Sequence, residues 1–486
     1  MSSPPHSAAT PLGEYLARAG GYFHPALVSK QDDCGTSVFN GPEPLKAGAK
    51  VVNCPFSLAV TPTLARRCIP TSLFSASPSS GRKSRQPNHE LMALYLCLHT
   101  LPPSTVSRIP GLDLEHRTYI EHLPGAATMR TTLYFSPRER ELLRGSNLHG
   151  ATDEREQGWR DEWDEVRGWL QDEKVRSELG WDKWLWACTI LSSRAFPSSL
   201  IDGDKDNSTP VLFPGIDMLN HRPTAKVTWS SDVRSVAPSG TDGDGGDKGS
   251  LTIVLDEDVG AGEQVFNTYG AKSNEELLLG YGFVLSPNPA AVFALKLALP
   301  PSCPPLLLSL LDTLSLSNTR HFVPPSGTLP PALLAQMRLV VAQPDELDAV
   351  EARAVDADGA RPKWEDVAGF VSWENELDVL DALEGMLHSK LRALQQGAAA
   401  GGGAAAADGV RPEVARMVEV YRQGQVDILE AAIRYRERLF EETVAKAEEE
   451  GVSLAFEDDD MEDIEEEEEE DEDEGEEEDG EESEEE

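Results

Sequence analysis

The stretch "IDMLNHRP", residues 216–223, follows the apolar run "PVLFPG" (210–215) and brings Asp217, Asn220 and His221 within five positions of one another. A polar side chain left unpaired in a protein interior costs roughly 1–3 kcal/mol. Three of them at the end of a hydrophobic run therefore need partners. Two readings are open from these residues alone: the trio satisfies backbone groups where a strand ends, or it holds a ligand. Asp217 and His221 stand at i, i+4 and could share a metal. A catalytic zinc needs three protein ligands, however, and neither an HExxH nor a third candidate lies nearby, so no metal is expected. There is no GxSxG to present a nucleophile and no GxxxxGK[ST] or GxGxxG to cradle phosphates.

Composition narrows the partners. The chain has 486 residues, long enough for two or three units. Its net charge is −42, and removing the 25 acidic residues of 457–486 still leaves −17. With no basic stripe to meet phosphates, nucleic-acid binding is not expected, and basic protein partners suit the charge better. The six cysteines form no CxxC and no Cys/His cluster in sequence, which argues against a zinc site and a disulfide scaffold and for a reducing compartment. The first residues show no secretory h-region, and the most apolar stretch, "PPLLLSLLDTLSL" from Pro304, is too short to span a bilayer. A soluble monomer of the cytoplasm or nucleus, with no membrane partner, is the expectation. "RKSR" (82–85) could be a nuclear signal, though a solvated loop is the plainer reading.

Along the chain, "TSVFN", "AKVVNCP" and "SLAVTP" read as strands between residues 34 and 75. After a Ser/Pro/Arg linker, "HELMALYLCLH" reads as a helix, and 119–195 as mainly helical, ending in the amphipathic "DKWLWACTILSSRAF". "KVTW" and "SLTIVL" read as strands flanking a long flexible loop. Asp242 and Asp244 in that loop hint at calcium, but Ile253 stands where an EF-hand needs Glu. Beyond 288, "SWENELDVLDALEGMLHSKLRAL", capped by Ser372, and a long amphipathic helix after the Ala/Gly linker 398–409 predict a separate helical domain. The acidic tail 457–486 cannot bury apolar surface and is expected to be disordered.

"SRAF" (193–196), "DMLNH" (217–221) and "FNTYGAKSNEELLLGYGF" (266–283), in that order, resemble the SET-domain protein-lysine methyltransferases of the Rubisco large-subunit methyltransferase-like branch. "CGTSVFNGPEPLKAGAKVVNCPFSLAVTP" (34–62) resembles the first SET half. "TYIEHLP" (118–124) and "TTLYFSPREREL" (131–142) resemble the helical insert that splits the domain, and "VYRQGQVDIL" (420–429) the last helix of the substrate-binding domain. The resemblance implies an α+β fold: a SET domain of short β-sheets around a knotted core at 22–285, with first half about 22–75, insert about 88–190 and second half about 191–285. An all-α substrate-binding domain would follow at 288–447.

It also implies methyl transfer from S-adenosylmethionine to a lysine of a protein substrate, without metal. By that match Cys34, Gly35, Thr36, Arg194, Asp217, Asn220, His221 and Tyr269 bind the cofactor. Asn220 would take its methionine end, His221 its adenine through the backbone, and Asp217 would support the turn. Tyr269 would be the catalytic tyrosine and Tyr281 a second tyrosine of the channel. Phe196 and Ile216 would form an apolar wall that favours lysine over histidine, the substrate of a neighbouring branch. Ser37 departs from the usual Gly-x-Gly. It is tolerable only at negative φ, and it leaves room for an alternative: a non-catalytic SET-fold binder or acidic chaperone for basic clients.

Overall fold

The structure is a computed structural model that describes residues 11–32, 35–74, 87–232, 249–299, 302–355, 362–402 and 409–452. Cys34, "RKSR", the Asp242–Asp244 loop and the acidic tail lie outside the described residues. The strands, in chain order, are β1 Tyr22–Phe23, β2 Val28–Asp32, β3 Gly35–Phe39, β4 Lys50–Pro55, β5 Phe196–Pro197, β6 Pro210–Val211, β7 Asn220–His221, β8 Val227–Ser231, β9 Ser250–Leu255, β10 Phe266–Asn267, β11 Phe293–Lys296 and β12 Arg320–Val323.

They build small sheets rather than one large one. The largest runs β1–β4–β9–β8, all antiparallel, while β2–β3 and β5–β6 are two-stranded antiparallel pairs and β7–β10 is parallel. "AKVVNCP" and "SLTIVL" are the two central strands of the large sheet, and their alternating apolar residues Val52, Cys54, Leu251 and Ile253 are fully buried in the core around Phe213 and Ile216. The halves interlace: the Val265 N–H donates to Val38 O at 2.8 Å and the Val60 N–H to Leu212 O at 2.9 Å.

"SLAVTP" is not a strand. Phe56–Leu58 is a 3-10 turn and Pro62–Cys68 a helix, with Val60 alone bridging to Leu212. The cause is local. Pro62 stands at the first helical position and the Thr61 hydroxyl accepts the Leu64 N–H, so a helix starts where β-branched composition suggested extension. The helix Pro11–Arg18, ahead of the expected boundary at 22, also belongs to the fold, with Leu12 and Leu16 buried in its two adjoining cores.

The insert is helical as expected. Its helices Pro87–His99, Asn147–Trp169 and Trp181–Arg194 close a large core around Tyr95, Trp184 and Ile190. The C-terminal region is helical except for the antiparallel pair β11–β12, and Ser372 does cap its helix, which runs on through Gly402 into the expected linker. This region is not separate. The 38-residue helix Pro412–Glu449 buries Val414, Val418 and Tyr421 against Leu133, Phe135, Leu143 and Leu148 of the insert, and then Ile428, Leu429 and Ala432 against Leu383 and Leu387.

A buried ion pair pins the first of these contacts. Glu139, closed in by the Ser136 capping box, receives the Arg411 guanidinium at 2.9 and 3.0 Å and the Arg411 N–H at 2.9 Å. Burial alone would raise the Glu139 carboxyl, but the bonds from Arg411 and from the Ser136 backbone hold it down at about 2. Its pairing therefore stabilises the fold above the unfolded-state value of about 4.3 and loses that effect as pH falls toward 2. Breaking a buried pair costs about 3–5 kcal/mol. The Arg411 side chain is 35% exposed, which reduces the expected cost of Arg411→Ala to about 2 kcal/mol. Chemical denaturation at pH 7 should show that deficit, and the gap between variant and wild type should narrow steadily below about pH 4.3.

Candidate active site

Two residues of parallel ladder place the central residues. Asn220 and His221 in β7 stand opposite Phe266 and Asn267 in β10, and the Arg222 N–H donates to Asn267 O at 2.9 Å. This pairing delivers Tyr269 to the side of β7. The Tyr269 N–H donates to His221 Nδ1 at 3.0 Å, and its phenol donates to Leu219 O at 2.9 Å. The same tyrosine is thus tied at both ends to the Leu219–His221 turn. His221 stacks on Tyr269 with centroids 4.9 Å apart and 19° between planes, and Tyr269 stacks on Tyr281 at 5.3 Å and 23°. Phe283 stands edge-on to Tyr281 at 6.3 Å. Each such pair contributes about 0.5–1.5 kcal/mol beyond area burial.

The "SNEELLLGYGF" stretch holds the second tyrosine in place. The Ser273 hydroxyl and Glu276 form a capping box for the helix Asn274–Gly280. Asn274 then clasps the returning chain: its Nδ2 donates to Leu285 O and its Oδ1 accepts the Leu285 N–H, both at 3.0 Å. Between Tyr281 and Phe283, Gly282 has φ +81°, and a Cβ there would lie 2.8 Å from Arg130 and Thr131 backbone atoms, so only glycine fits.

Asp217 explains the rest of the opening trio. Its side chain is 1% exposed and bound from two elements. The Tyr119 phenol of the insert donates to Oδ2 at 2.9 Å, while Arg194 Nη1 donates to Asp217 O at 2.8 Å and to Oδ2 at 3.3 Å. Burial pushes the carboxyl up, and Arg194 and Tyr119 pull it back. Its Oδ1 is buried with no partner. Burial also lowers the His221 imidazole and raises the Tyr269 and Tyr281 phenols. At neutral pH the aromatic column is therefore uncharged, which agrees with His221 Nδ1 acting as an acceptor.

Of the first-half loop, Gly35 has φ +101° with open space where a Cβ would be, and Thr36 Oγ1 accepts from Gln31 at 2.8 Å. Ser37 lies in β3 opposite Lys30, outside the left-handed region, so the departure from glycine carries no backbone strain. Its hydroxyl accepts from Asn220 Nδ2 at 2.8 Å. Ser37, Tyr119 and Phe283 adjoin the site without having been given a role by the resemblance, although Tyr119 and Phe283 lie within the quoted stretches "TYIEHLP" and "FNTYGAKSNEELLLGYGF".

Phe196 is 7% exposed against Phe213 and Trp229, and Ile216 is fully buried in the same core. Ile216 can back a wall but not face solvent. Tyr281 also borders a cleft of about 420 Å³, lined with Arg155, Ser192, Lys272, Glu275 and Arg320. Asp217 and His221 do not converge as a metal pair, since both are engaged as described. The fold does gather one Cys/His group that spacing did not reveal among the described residues: His89, Glu162 and Cys188, from three insert helices, offer ligand atoms within 4.8 Å of one another. His89 Nδ1 lies 3.4 Å from Glu162 Oε2, beside a thiol that burial keeps protonated, and the group shares no residue with the aromatic column.

Comparison with known proteins agrees with this layout. No family model matches the chain. The ribosomal lysine N-methyltransferase set10 of Schizosaccharomyces pombe is 30% identical over 406 residues, which is 82% of this chain and 65% of that protein. An actin-histidine N-methyltransferase of Drosophila melanogaster is 27% identical over 276 residues, covering 50% of this chain and 47% of the relative. The chain thus spans just under two thirds of the first relative and about half of the second. The structure of a Rubisco large-subunit methyltransferase bound to S-adenosylmethionine superposes with a TM-score of 0.67 at 20% identity, covering 93% of this chain and 98% of that one. Together with the Asn–His pair, the tyrosine column and the insert between two interlaced halves, this shows that the chain has the split SET fold of the Rubisco large-subunit methyltransferase structures and is similar over most of its length to a lysine N-methyltransferase.

Proposed function

We propose that this chain is an S-adenosylmethionine-dependent protein-lysine N-methyltransferase acting on basic protein substrates of the cytoplasm or nucleus. The observation that carries the reading is the double tether of Tyr269 to the Leu219–His221 turn. It brings a phenol and a neutral imidazole to the turn that also carries the Asn220 amide.

The residues fit the cofactor's amino-acid end. Arg194 is a donor for a carboxylate, and among the described residues no donor meets Asn220 Oδ1, which suits an ammonium. Arg194, Asn220, His221 and the Gly35–Thr36 loop would hold it, with Asp217 fixing Arg194. When bound, the cofactor supplies an already activated methyl group, so the chain needs no covalent intermediate.

What the chain must supply is a neutral amine and alignment. Free lysine has a pKa of about 10.4, so deprotonation at pH 7 costs roughly 4–5 kcal/mol. The stacked rings of Tyr269 and Tyr281 and the apolar side of Phe196, backed by Ile216, disfavour an ammonium and reduce that cost. The substrate ammonium would lose one proton to water beforehand; the amine lone pair would then take the methyl group as its bond to sulfur breaks toward sulfur, leaving a methylated ammonium. Because the Tyr269 phenol spends its hydrogen on Leu219 O, its oxygen lone pairs remain to favour the polarised methyl group in the transition state. Holding the reactants in line contributes several kcal/mol more, about 7–11 at most.

Phe196 and Ile216 favour lysine over histidine, because an aromatic and an aliphatic wall suits a methylene stem and offers imidazole no hydrogen bond. The first test is incubation with labelled S-adenosylmethionine and a ribosome-containing lysate, read by mass spectrometry. Lysine methylation is expected, and Tyr269→Phe should lower kcat about 100-fold. Label on histidine alone, or none that depends on Tyr269, would overturn the reading.

Two further outcomes follow. Arg194→Ala should cost about 3 kcal/mol, because it strands the buried Asp217 carboxylate. Adding Asp217→Asn should return most of that stability in denaturation curves while leaving cofactor affinity weak, since only Arg194 is proposed to reach the cofactor. Truncation after Phe456 should leave cofactor affinity unchanged but weaken capture of basic proteins in pull-downs, most of all at low salt.

A further inference from the structure

Asn220 carries both a donor and an acceptor on one planar group, and which of them faces the cofactor depends on what fixes its rotation. In this chain the anchor comes from the other half of the domain, 183 positions away. Asn220 Nδ2 donates to Ser37 Oγ at 2.8 Å. Ser37 is wholly buried in β3, whose ladder with β2 runs through five residue pairs, so its hydroxyl is a fixed point. Asn220 is itself held in β7 opposite Phe266. With Nδ2 committed to Ser37, Oδ1 is turned to the opposite side, and among the described residues no donor meets it.

We infer that Ser37 is a positioning residue that anchors the Asn220 amide and holds its plane toward the cofactor's amino-acid end. This rests on the proposed methyltransferase reading. The Ser37 hydroxyl is therefore an added constraint rather than a defect at the position where glycine is usual. Glycine's lone hydrogen cannot hold an amide, whereas an oxygen on a rigid strand can. Without that oxygen the amide loses its anchor and is free to swing away from the cofactor's amino-acid end.

The test compares two ligands by calorimetry. S-adenosylhomocysteine carries the amino-acid end, and 5′-methylthioadenosine lacks it. Ser37→Ala should weaken S-adenosylhomocysteine about five-fold, the equivalent of one neutral hydrogen bond, and leave 5′-methylthioadenosine unchanged. Ser37→Gly should give the same ratio. Equal weakening of both ligands would assign Ser37 a merely structural role, and no change in either would remove it from the site, so each overturns the inference.

A wild-type chain that binds 5′-methylthioadenosine and S-adenosylhomocysteine not at all would instead remove the methyltransferase reading. That result is distinct from any of the variant outcomes.

Discussion

The site depends on two residues of parallel pairing. Parallel strands cannot be joined by a tight turn, so the ladder between Asn220–His221 and Phe266–Asn267 forces the chain between them to leave, build the β8–β9 hairpin of the large sheet and return. On return, the residues just past β10 emerge beside the end of β7, and Tyr269 meets the Leu219–His221 turn by bonds from both its backbone and its side chain. A slip of one residue in this register would reverse the faces of Asn220 and His221. Register, not any single contact, is what brings amide, imidazole and phenol together.

Around that ladder the cost of burying charge is shared out. Asp217 closes an apolar run, and its carboxylate is tolerable only because Arg194 from the helix Trp181–Arg194 and Tyr119 from the insert both reach it. One buried acid thus ties three pieces of chain that are far apart in sequence, since Tyr119 and Asp217 are 98 positions apart. The pair of Arg194 and Asp217 also fixes a cation at the edge of an otherwise uncharged column of rings.

Much of this was legible in the residues. The "NH", "NTYG" and "YGF" motifs carry Asn220, His221, Tyr269 and Tyr281, and the structure gathers all four because motif spacing encodes where strands meet. "SLTIVL" and "AKVVNCP" announced themselves by alternation. What stayed hidden was what depends on partners distant in sequence. Tyr119 sits in "TYIEHLP", a stretch that marks the insert without giving this residue a role, and its role appears only once the insert folds onto Asp217. "SLAVTP" looked extended because propensity is local, while the cap at Thr61 and Pro62 determined otherwise. The long C-terminal helix looked like a separate unit because amphipathic spacing shows that a face is buried, not against what.

That last point changes how the C-terminal region is best understood. Arg422 of the helix Pro412–Glu449 donates to Leu142 O and Arg144 O of the insert and to Leu394 O of the neighbouring helix. Gln425 donates to Val292 O, just ahead of β11, and Asn147 of the insert donates to Ala294 O within it. Arg320 on β12 then pairs at 3.7 Å with Glu275, on the helix that leads into Tyr281. The cleft beside Tyr281 consequently takes its walls from the insert, from the second SET half and from the C-terminal sheet at once. Buried guanidinium-to-carbonyl bonds across those boundaries are costly to break, and they bond the C-terminal region to the insert. The helical insert, which splits the SET domain in sequence, is thus the piece that touches both that domain and the C-terminal region in space.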